Sequence, residues 1–233
     1  GGGIAGGKTY FLCMYLTLYG LKYPGATMIL ARRKFTQLNL STLETFRRFI
    51  PKALYTENKS DNIITYVNGS KIFCTGLDMG NELDKFSSTE VALVAIDQAE
   101  EIEEKHYTDL ITRLRQTKDI KQPDGTIVKQ EFPYKMLTSC NPRICYLRDR
   151  FILNPIVGKR TFIPFKYQNN EKNLRAGYIA EQKENLKDNP ALYASLIDGS
   201  WDITEEANTL MKYKDLLTVT SAPQQHIKTH FGK

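Results

Sequence analysis

The sequence predicts an α/β fold in which a mostly parallel β-sheet is flanked by helices and carries one inserted hairpin. Short apolar runs typical of buried strands alternate along the chain with longer segments typical of helices. An Asn68-Gly69 pair between two β-rich runs marks the hairpin, because this dipeptide suits the tight turn between antiparallel strands. The composition agrees, since 41% apolar and 25% charged residues among 233 are ordinary for a globular protein.

The first half of the chain supplies a helix, a strand, a second helix and the hairpin. Residues 9–22 are apolar on nearly every face, which predicts a buried helix, and TMILA at 27–31 predicts a buried strand. The sequence STLE at 41–44 has the spacing of a capping box, so the main part of the next helix should begin there. Residues 63–67 and 71–75 are the predicted hairpin strands.

The second half repeats the alternation of strands and helices. Residues 91–96 (VALVAI) form a continuous apolar run, which predicts a strand covered on both faces. The remaining predicted elements are a charged amphipathic helix at 103–116, a turn at the tip of a surface loop at 122–125, strands at 136–140 and 161–165, and helices at 174–187 and 190–199.

Charge and hydropathy narrow the class of partner. The 32 Lys and Arg residues exceed the 26 Asp and Glu residues by six, a mild excess that permits a polyanionic partner without requiring one. No apolar run approaches the about 18 residues that a membrane span needs. The apolar segment 10–19 lacks the flanks of a signal peptide. The sequence therefore predicts a cytosolic protein without a membrane partner.

A glycine-rich motif opens the chain and precedes the first predicted helix. Residues 2–9 match G-x-x-x-x-G-K-[ST], in which glycines let backbone N–H groups turn towards phosphate oxygens. Lys8 should reach the β- and γ-phosphates, and the Thr9 hydroxyl should ligate Mg²⁺. The motif therefore predicts ATP binding by Gly2, Gly3, Ile4, Ala5, Gly6, Gly7, Lys8 and Thr9.

An acidic residue follows the most apolar predicted strand. Asp97 comes directly after residues 91–96, at the strand end where α/β sheets bind ligands, and is the predicted second Mg²⁺ ligand. The next position is Gln98, whose amide can orient a water molecule but cannot accept its proton. Glu100 and Glu101 are therefore the candidate bases, and the alternative for both is a solvated helix N-terminus.

Polar side chains also follow the predicted strand at 136–140. Thr138, Ser139 and Asn141 could hydrogen-bond the γ-phosphate or the attacking water, which would make this strand end a sensor of hydrolysis. The alternative is a simple strand-to-turn transition, since Asn-Pro is a common turn signal. The two preceding motifs, in the correct order, favour the sensor.

These three motifs, in their order and spacing, resemble the ATPase domain of phage terminase large subunits, the motors that package DNA into procapsids. Four further segments are similar to that family: ARRKF at 31–35 before a helix, DKF at 84–86, AIDQAEEI at 95–102, and DNP at 188–190 followed by GSW at 199–201. In many P-loop ATPases a Glu directly follows the Asp, so Gln98 departs from the usual pattern.

The resemblance implies a RecA-like (ASCE) P-loop NTPase domain over residues 1–201, with a first strand expected upstream of Gly1. Residues 202–233 would be a linker towards a C-terminal nuclease domain, and they are too few to form that domain, so nuclease activity is not expected of this chain. The implied cofactors are ATP and Mg²⁺. The implied partners are double-stranded DNA, a portal protein and the small terminase subunit. The motor would act as a homo-oligomeric ring on the portal, in the host cell cytoplasm.

One role and two other functions stay open. An arginine should neutralise transition-state charge, and Arg143 is the first choice, with Arg32, Arg33 and Arg148 as further candidates. The chain could instead be another P-loop enzyme, such as a helicase or a nucleotide kinase. It could also be a nucleotide-gated assembly or DNA-binding module, with Gln98 marking lost catalysis.

Overall fold

A six-stranded sheet forms the centre of the protein, described here by a computed structural model that covers residues 1–78, 86 and 88–202. Two further strands pair with each other in a separate hairpin. The strands are β1 (Thr27–Arg32), β2 (Tyr55–Asn58), β3 (Ile63–Tyr66), β4 (Lys71–Gly76), β5 (Leu93–Ile96), β6 (Thr117–Lys121), β7 (Ile127–Glu131) and β8 (Lys135–Thr138).

The strand order in the central sheet is β2-β3-β4-β1-β5-β8. β1 runs parallel to β4 and β5, and β5 runs parallel to β8, while β3 is antiparallel to both β2 and β4. This arrangement confirms the predicted mostly parallel sheet with an inserted hairpin. Ile96 lies opposite Thr138, so the chain leaves β5 and β8 at the same edge of the sheet.

Both faces of the central strands are covered by apolar side chains. Along β1, Met28 and Leu30 belong to one buried cluster, while Ile29 and Ala31 belong to the cluster on the opposite face. β5 alternates in the same way and is buried at all four positions. The unbroken apolar runs of these strands follow from this double coverage, as the sequence predicted.

Helices and single turns of other helix types connect the strands. No helix among the residues covered is long and apolar enough to cross a bilayer. The α-helices are α1 (Lys8–Lys22), α2 (Phe35–Gln37), α3 (Leu43–Phe49), α4 (Glu104–Ile111), α5 (Tyr146–Arg148), α6 (Tyr178–Leu186) and α7 (Pro190–Tyr193). The 3₁₀ turns are Lys52–Leu54, Ala99–Glu101 and Tyr167–Asn173, and the π-helical turns are Leu38–Thr42, Asp149–Leu153 and Ala194–Asp198.

The first two helices differ from the sequence prediction. α1 is buried only on the side that carries Leu12 and Leu16, and Leu18 on the opposite side is 62% exposed. Ser41 does not cap a helix, because α2, the π-helical turn and α3 follow one another without a break. The chain is already helical at Leu38, three residues before Ser41, and the Leu38 side chain is buried.

Three predicted elements in the second half are shorter or absent. α4 ends at Ile111 instead of residue 116, and Leu114 then forms an isolated parallel bridge with Val91. Residues 161–165 form no strand, and Phe165 donates its backbone N–H to the Gly1 carbonyl oxygen at 2.8 Å. α6 begins at Tyr178 instead of residue 174, after the left-handed Gly177.

Two other predicted segments lie partly outside the described residues. Of the DKF segment only Phe86 is described, and it is buried. Of the predicted linker at 202–233 only Asp202 is described.

Candidate functional site: a phosphate loop and two polar strand ends

The glycine-rich loop is packed tightly against two distant stretches of main chain. A Cβ atom at Gly2 would lie 2.1 Å from the carbonyl oxygen of Phe165, and one at Gly3 would lie 2.4 Å from that of Leu196. Gly7, with φ of 82°, adopts the left-handed conformation directly before α1. The loop therefore needs glycine for close packing at its start and for backbone conformation at its end.

Hydrogen bonds between the loop and three distant segments hold the loop in place. Ile4 donates its N–H to the Leu196 carbonyl oxygen at 2.7 Å, and Gly2 donates to Cys140 at 3.1 Å. The Asn170 side-chain amide donates to the Ala5 carbonyl oxygen at 2.8 Å. The shape of the loop thus depends on residues that follow it by more than 130 positions in the sequence.

The Lys8 ammonium group is enclosed by oxygen atoms from two motifs. It donates to the Gly2 carbonyl oxygen at 2.9 Å, to the Gly3 carbonyl oxygen, and to Asn141 Oδ1 at 3.0 Å. Burial lowers the pKa of Lys8, and the nearby Glu100 carboxylate opposes this shift. The lysine therefore links the loop to the strand end after β8.

Asp97 lies at the end of β5 and is only 1% exposed. Its carboxylate accepts hydrogen bonds from three hydroxyl groups on different segments. Thr9 donates from α1 at 3.3 and 3.4 Å to the two oxygens, Thr42 donates to Oδ2 at 2.6 Å, and Ser139 donates to Oδ1. Hydroxyl donors of this kind compensate the cost of burying a carboxylate.

The donor set suits one metal ion better than others. Thr9 and Asp97 offer hard oxygen atoms, and Mg²⁺ is usually held by one or two carboxylates together with substrate phosphates. Within residues 1–78, 86 and 88–202, no group of three or more His, Cys, Asp or Glu side chains could hold a metal ion by itself. The residues present therefore fit Mg²⁺ bound jointly with a nucleotide.

Gln98 turns its side chain towards a buried arginine. Its backbone is left-handed, with φ of 52°, and its N–H donates to Ser139 Oγ at 3.2 Å. Its side-chain oxygen accepts from the guanidinium group of Arg32, which is 7% exposed and also donates to the Gln37 carbonyl oxygen at 3.4 Å. Arg32 is thus enclosed within its own subunit.

Glu100 lies in the 3₁₀ turn after Gln98 and faces Asn141. One of its oxygens, Oε1, accepts from both the backbone N–H and the side-chain amide of Asn141, each at 3.0 Å. The other, Oε2, is buried and has no hydrogen-bond partner among the residues described. Burial raises the pKa of Glu100. Asn141 therefore connects Glu100 to Lys8.

A cleft of about 370 Å³ opens over the loop, Asp97 and Asn141. Three of its lining residues, Tyr10, Thr45 and Asn170, were not predicted from the sequence. Thr45 lies one helical turn after the Thr42 position, and Asn170 lies in a 3₁₀ stretch that carries no motif. The lining residues that were predicted as binding or catalytic are Ile4, Ala5, Gly6, Gly7, Lys8, Thr9, Asp97, Ser139 and Asn141, and Gln98 also lines the cleft.

The other predicted site residues are not among those that line this cleft: Gly2, Gly3, Glu100, Glu101, Thr138 and Arg143. Thr138 instead borders a second, largely apolar cavity. Glu101 is half-buried and donates its backbone N–H to the Gln98 carbonyl oxygen at 3.0 Å. Arg143 is exposed, two residues after Asn141.

Comparison with known proteins decides the family. The family model for the phage terminase large subunit matches residues 1–200. The chain belongs to this family. Comparison with curated proteins gave no significant match.

Solved structures share the fold. The large terminase of a thermophilic bacteriophage matches in crystal form 2 with a TM-score of 0.70 at 14% identity, over 86% of this chain and 47% of that one. The same phage protein in complex with ADP matches with a TM-score of 0.68 at 14% identity, over 86% and 47%. Its complex with ATP-gamma-S matches with a TM-score of 0.65 at 15% identity, over 86% of this chain and 46% of that one. This terminase chain thus spans about half the length of the thermophilic phage protein.

Proposed function

We propose that this chain is the ATP-hydrolysing motor part of a phage terminase large subunit. The observation that carries the proposal is the junction of Lys8, Thr9, Asp97 and Asn141 beneath one cleft at the carboxyl edge of the sheet. The large terminase of the thermophilic phage, whose fold this chain shares, has been solved with ADP and with ATP-gamma-S, which supports a nucleotide in this cleft.

The proposed ligands of the site are ATP and Mg²⁺. Lys8 and the loop N–H groups would bind the β- and γ-phosphates, and the Thr9 hydroxyl and Asp97 carboxylate would hold the metal. Bound Mg²⁺ would neutralise charge on the phosphates during transfer to water. Ser139 keeps Asp97 oriented through its hydrogen bond to Oδ1.

Glu100 is the proposed general base. Its Oε2 atom is buried and makes no hydrogen bond within the described ranges, so it would be able to accept the proton of an attacking water once the side chain turns towards the cleft. Asn141 stands between Glu100 and the cleft and also accepts from Lys8. A movement of Lys8 towards a phosphate would therefore change the hydrogen bonding of Asn141 and, through it, the position of Glu100. Glu101 remains the competing base.

Arg143 is the proposed arginine that neutralises transition-state charge, in cis or in a neighbouring subunit. It is exposed and lies two residues after Asn141, which lines the cleft. Arg32 suits this role less well because it is buried and bound to Gln98.

The wider proposal is DNA packaging. The motor would act as a homo-oligomeric ring on a portal protein, together with the small subunit, in the host cell cytoplasm. It would translocate double-stranded DNA into a procapsid. With a net charge of only +6, DNA binding should be weak and independent of sequence. The slope of log K against log salt should be about −0.9 for each phosphate neutralised. A marked sequence preference or a salt-independent affinity would contradict translocation.

Phosphate release, measured with and without double-stranded DNA, tests the function. Lys8→Ala should abolish turnover and strongly weaken nucleotide binding, because the only side-chain cation of the loop is removed. Asp97→Asn should remove the Mg²⁺ dependence of nucleotide binding. Normal turnover in either variant would overturn the corresponding assignment.

Gln98 favours one second candidate, a nucleotide-gated DNA-binding or assembly module. In such a protein nucleotide would bind in the same cleft without being hydrolysed, because the residue after Asp97 cannot accept a proton. Tight nucleotide binding by the parent protein with no phosphate release, with or without DNA, would select this module over the motor.

A further inference from the structure

Thr42 contacts the proposed metal carboxylate from a segment that carries none of the three predicted site motifs. Its side chain is fully buried, and its hydroxyl donates to Asp97 Oδ2 at 2.6 Å. This is a shorter hydrogen bond than the two that Thr9 donates to the same carboxylate, at 3.3 and 3.4 Å. Because Thr42 is shielded from solvent, water does not compete for this contact.

The backbone of Thr42 is also tied to the helix that carries Thr9. Cys13 lies one turn after Thr9 on α1, and its thiol donates to the Thr42 carbonyl oxygen at 3.6 Å. Thr42 is therefore fixed to α1 through its main chain and to β5 through its side chain. Asp97, Thr9 and Thr42 form a junction of three segments.

The π-helical turn sets which residue of its segment meets Asp97. A π-helical turn accommodates an extra residue, and one residue changes the facing direction in a helix by about 100°. Thr42 is the last residue of the turn, while Ser41 before it is exposed and Leu43 after it is buried in the apolar core. The turn thus brings the Thr42 hydroxyl group to Asp97, whereas Ser41 faces solvent and Leu43 faces the apolar core.

We propose that Thr42 is a positioning residue for metal binding: its hydrogen bond holds Asp97 Oδ2 so that the remaining carboxylate lone pairs face Thr9 and the cleft. This inference rests on the proposed function, because it concerns Mg²⁺ bound with a nucleotide at Asp97. Thr42 itself is not among the residues that line the cleft, so it acts through Asp97. Partners of metal ligands commonly change metal affinity or activity by about 10- to 100-fold.

The test compares Thr42→Val, which removes the hydroxyl while keeping a similar shape, with Thr42→Ser, which keeps it. Thr17→Val is the matched control, because Thr17 is also buried. Its hydroxyl bonds the Tyr66 hydroxyl at 2.9 Å and the Cys13 carbonyl oxygen at 3.0 Å, and no hydrogen bond joins it to Asp97 among the residues described. The readouts are the Mg²⁺ concentration that half-saturates binding of a fluorescent ADP analogue, the affinity of that analogue without Mg²⁺, and the melting temperature.

Thr42→Val should raise the half-saturating Mg²⁺ concentration by about tenfold or more. The affinity for the analogue without Mg²⁺ should stay unchanged. Thr42→Ser should remain within about twofold of the parent protein, and Thr17→Val should lower the melting temperature without any Mg²⁺ effect.

Equal Mg²⁺ requirements in Thr42→Val and Thr17→Val would overturn the positioning role while leaving the proposed function intact. A Mg²⁺ requirement in Thr42→Ser as high as that in Thr42→Val would also overturn the positioning role. If the parent protein bound the analogue without any dependence on Mg²⁺, the proposed metal site and this inference would fail together.

Discussion

The glycine-rich loop and the turn after β5 face the same cleft but are held in place mainly by different means. The loop is positioned mostly by main chain, since Gly2 and Gly3 lie against the carbonyl oxygens of Phe165 and Leu196. The turn is positioned by side chains, with Gln98 bound to Arg32 and Glu100 bound to Asn141. Main-chain packing leaves no room for a Cβ atom, whereas a side-chain contact can be rebuilt with another residue type.

This difference explains why the loop matches a common sequence motif while the turn after β5 departs from the usual pattern. Loop positions that must be glycine give a recognisable sequence pattern. The turn keeps Asp97 but carries Gln98 where many P-loop ATPases have Glu, and a carboxylate lies two positions later at Glu100. Substitutions of the closely packed loop glycines should therefore affect folding, whereas substitutions in the turn should affect catalysis.

Among substitutions that compare the loop glycines with the turn, the largest effect is expected from Glu100→Gln. If Glu100 is the base, ATP turnover should fall by at least about 10²-fold, while nucleotide affinity should hardly change because the loss occurs in the transition state. Glu101→Gln is the matched control, since it makes the same chemical change at the next residue. Normal turnover in Glu100→Gln together with a large loss in Glu101→Gln would move the base to Glu101.

The loop should respond through stability. Gly3→Ala places a Cβ atom 2.4 Å from the Leu196 carbonyl oxygen, and relief requires main-chain movement, so we expect about 1–3 kcal/mol lower unfolding free energy in denaturant titration. Gly125→Ala is the control, because its Cβ atom would meet nothing within 4 Å and only its positive φ is unfavourable. If Gly125→Ala were the more destabilising of the two, main-chain packing would not be what holds the loop.

A smaller effect concerns the pH dependence of stability, again in the turn. Burial raises the pKa of Glu100 above 4.5, so between that value and the raised pKa the folded protein binds more protons than the unfolded chain. The contribution of Glu100 to folding stability therefore falls as the pH rises from 4.5 to the raised pKa. Over this range the melting temperature of Glu100→Gln should rise relative to that of the parent protein. Melting curves between about pH 4 and 8 measure this difference.

Glu103 is a control for the pH experiment, because its contribution to stability should change with pH in the opposite direction. Its exposed carboxylate is hydrogen-bonded by Lys105, which lowers its pKa, so its contribution to stability is lost as pH falls. Glu103→Gln should therefore differ from the parent protein more at higher pH, by melting lower. A pH-independent difference for Glu100→Gln would contradict a carboxyl group that is buried in the folded state.

The smallest effect is expected from Gln98→Glu. The new carboxylate would face Arg32 and form an ion pair in place of the present hydrogen bond. Turnover should therefore equal that of the parent protein or exceed it slightly, by far less than the about 10²-fold effect of a general base. Phosphate release measures the change, and Gln98→Ala shows the cost of removing the acceptor from Arg32. A strong loss of turnover in Gln98→Glu would mean that the amide itself orients the water.

The sequence alone predicted the α/β class, the parallel central strands and the three polar motifs in their order. These features are local: periods of apolar residues report which faces are buried, and glycines report where a backbone cannot tolerate a side chain. The strands at 27–31 and 91–96 could be read in this way because coverage on both faces leaves an unbroken apolar run. The polar residues that follow such runs then lie at one edge of the sheet.

Tertiary structure decided how the site residues are held. Glu100 meets Asn141 across 41 residues, Thr42 meets Asp97 across 55, and Asn170 meets Ala5 across 165. The ends of α4 and the helical continuity around Ser41 also depend on distant packing. Such contacts leave no periodic trace, because one hydrogen-bonding side chain is compatible with many sequences around it. Only the folded chain determines which donor reaches which carboxylate.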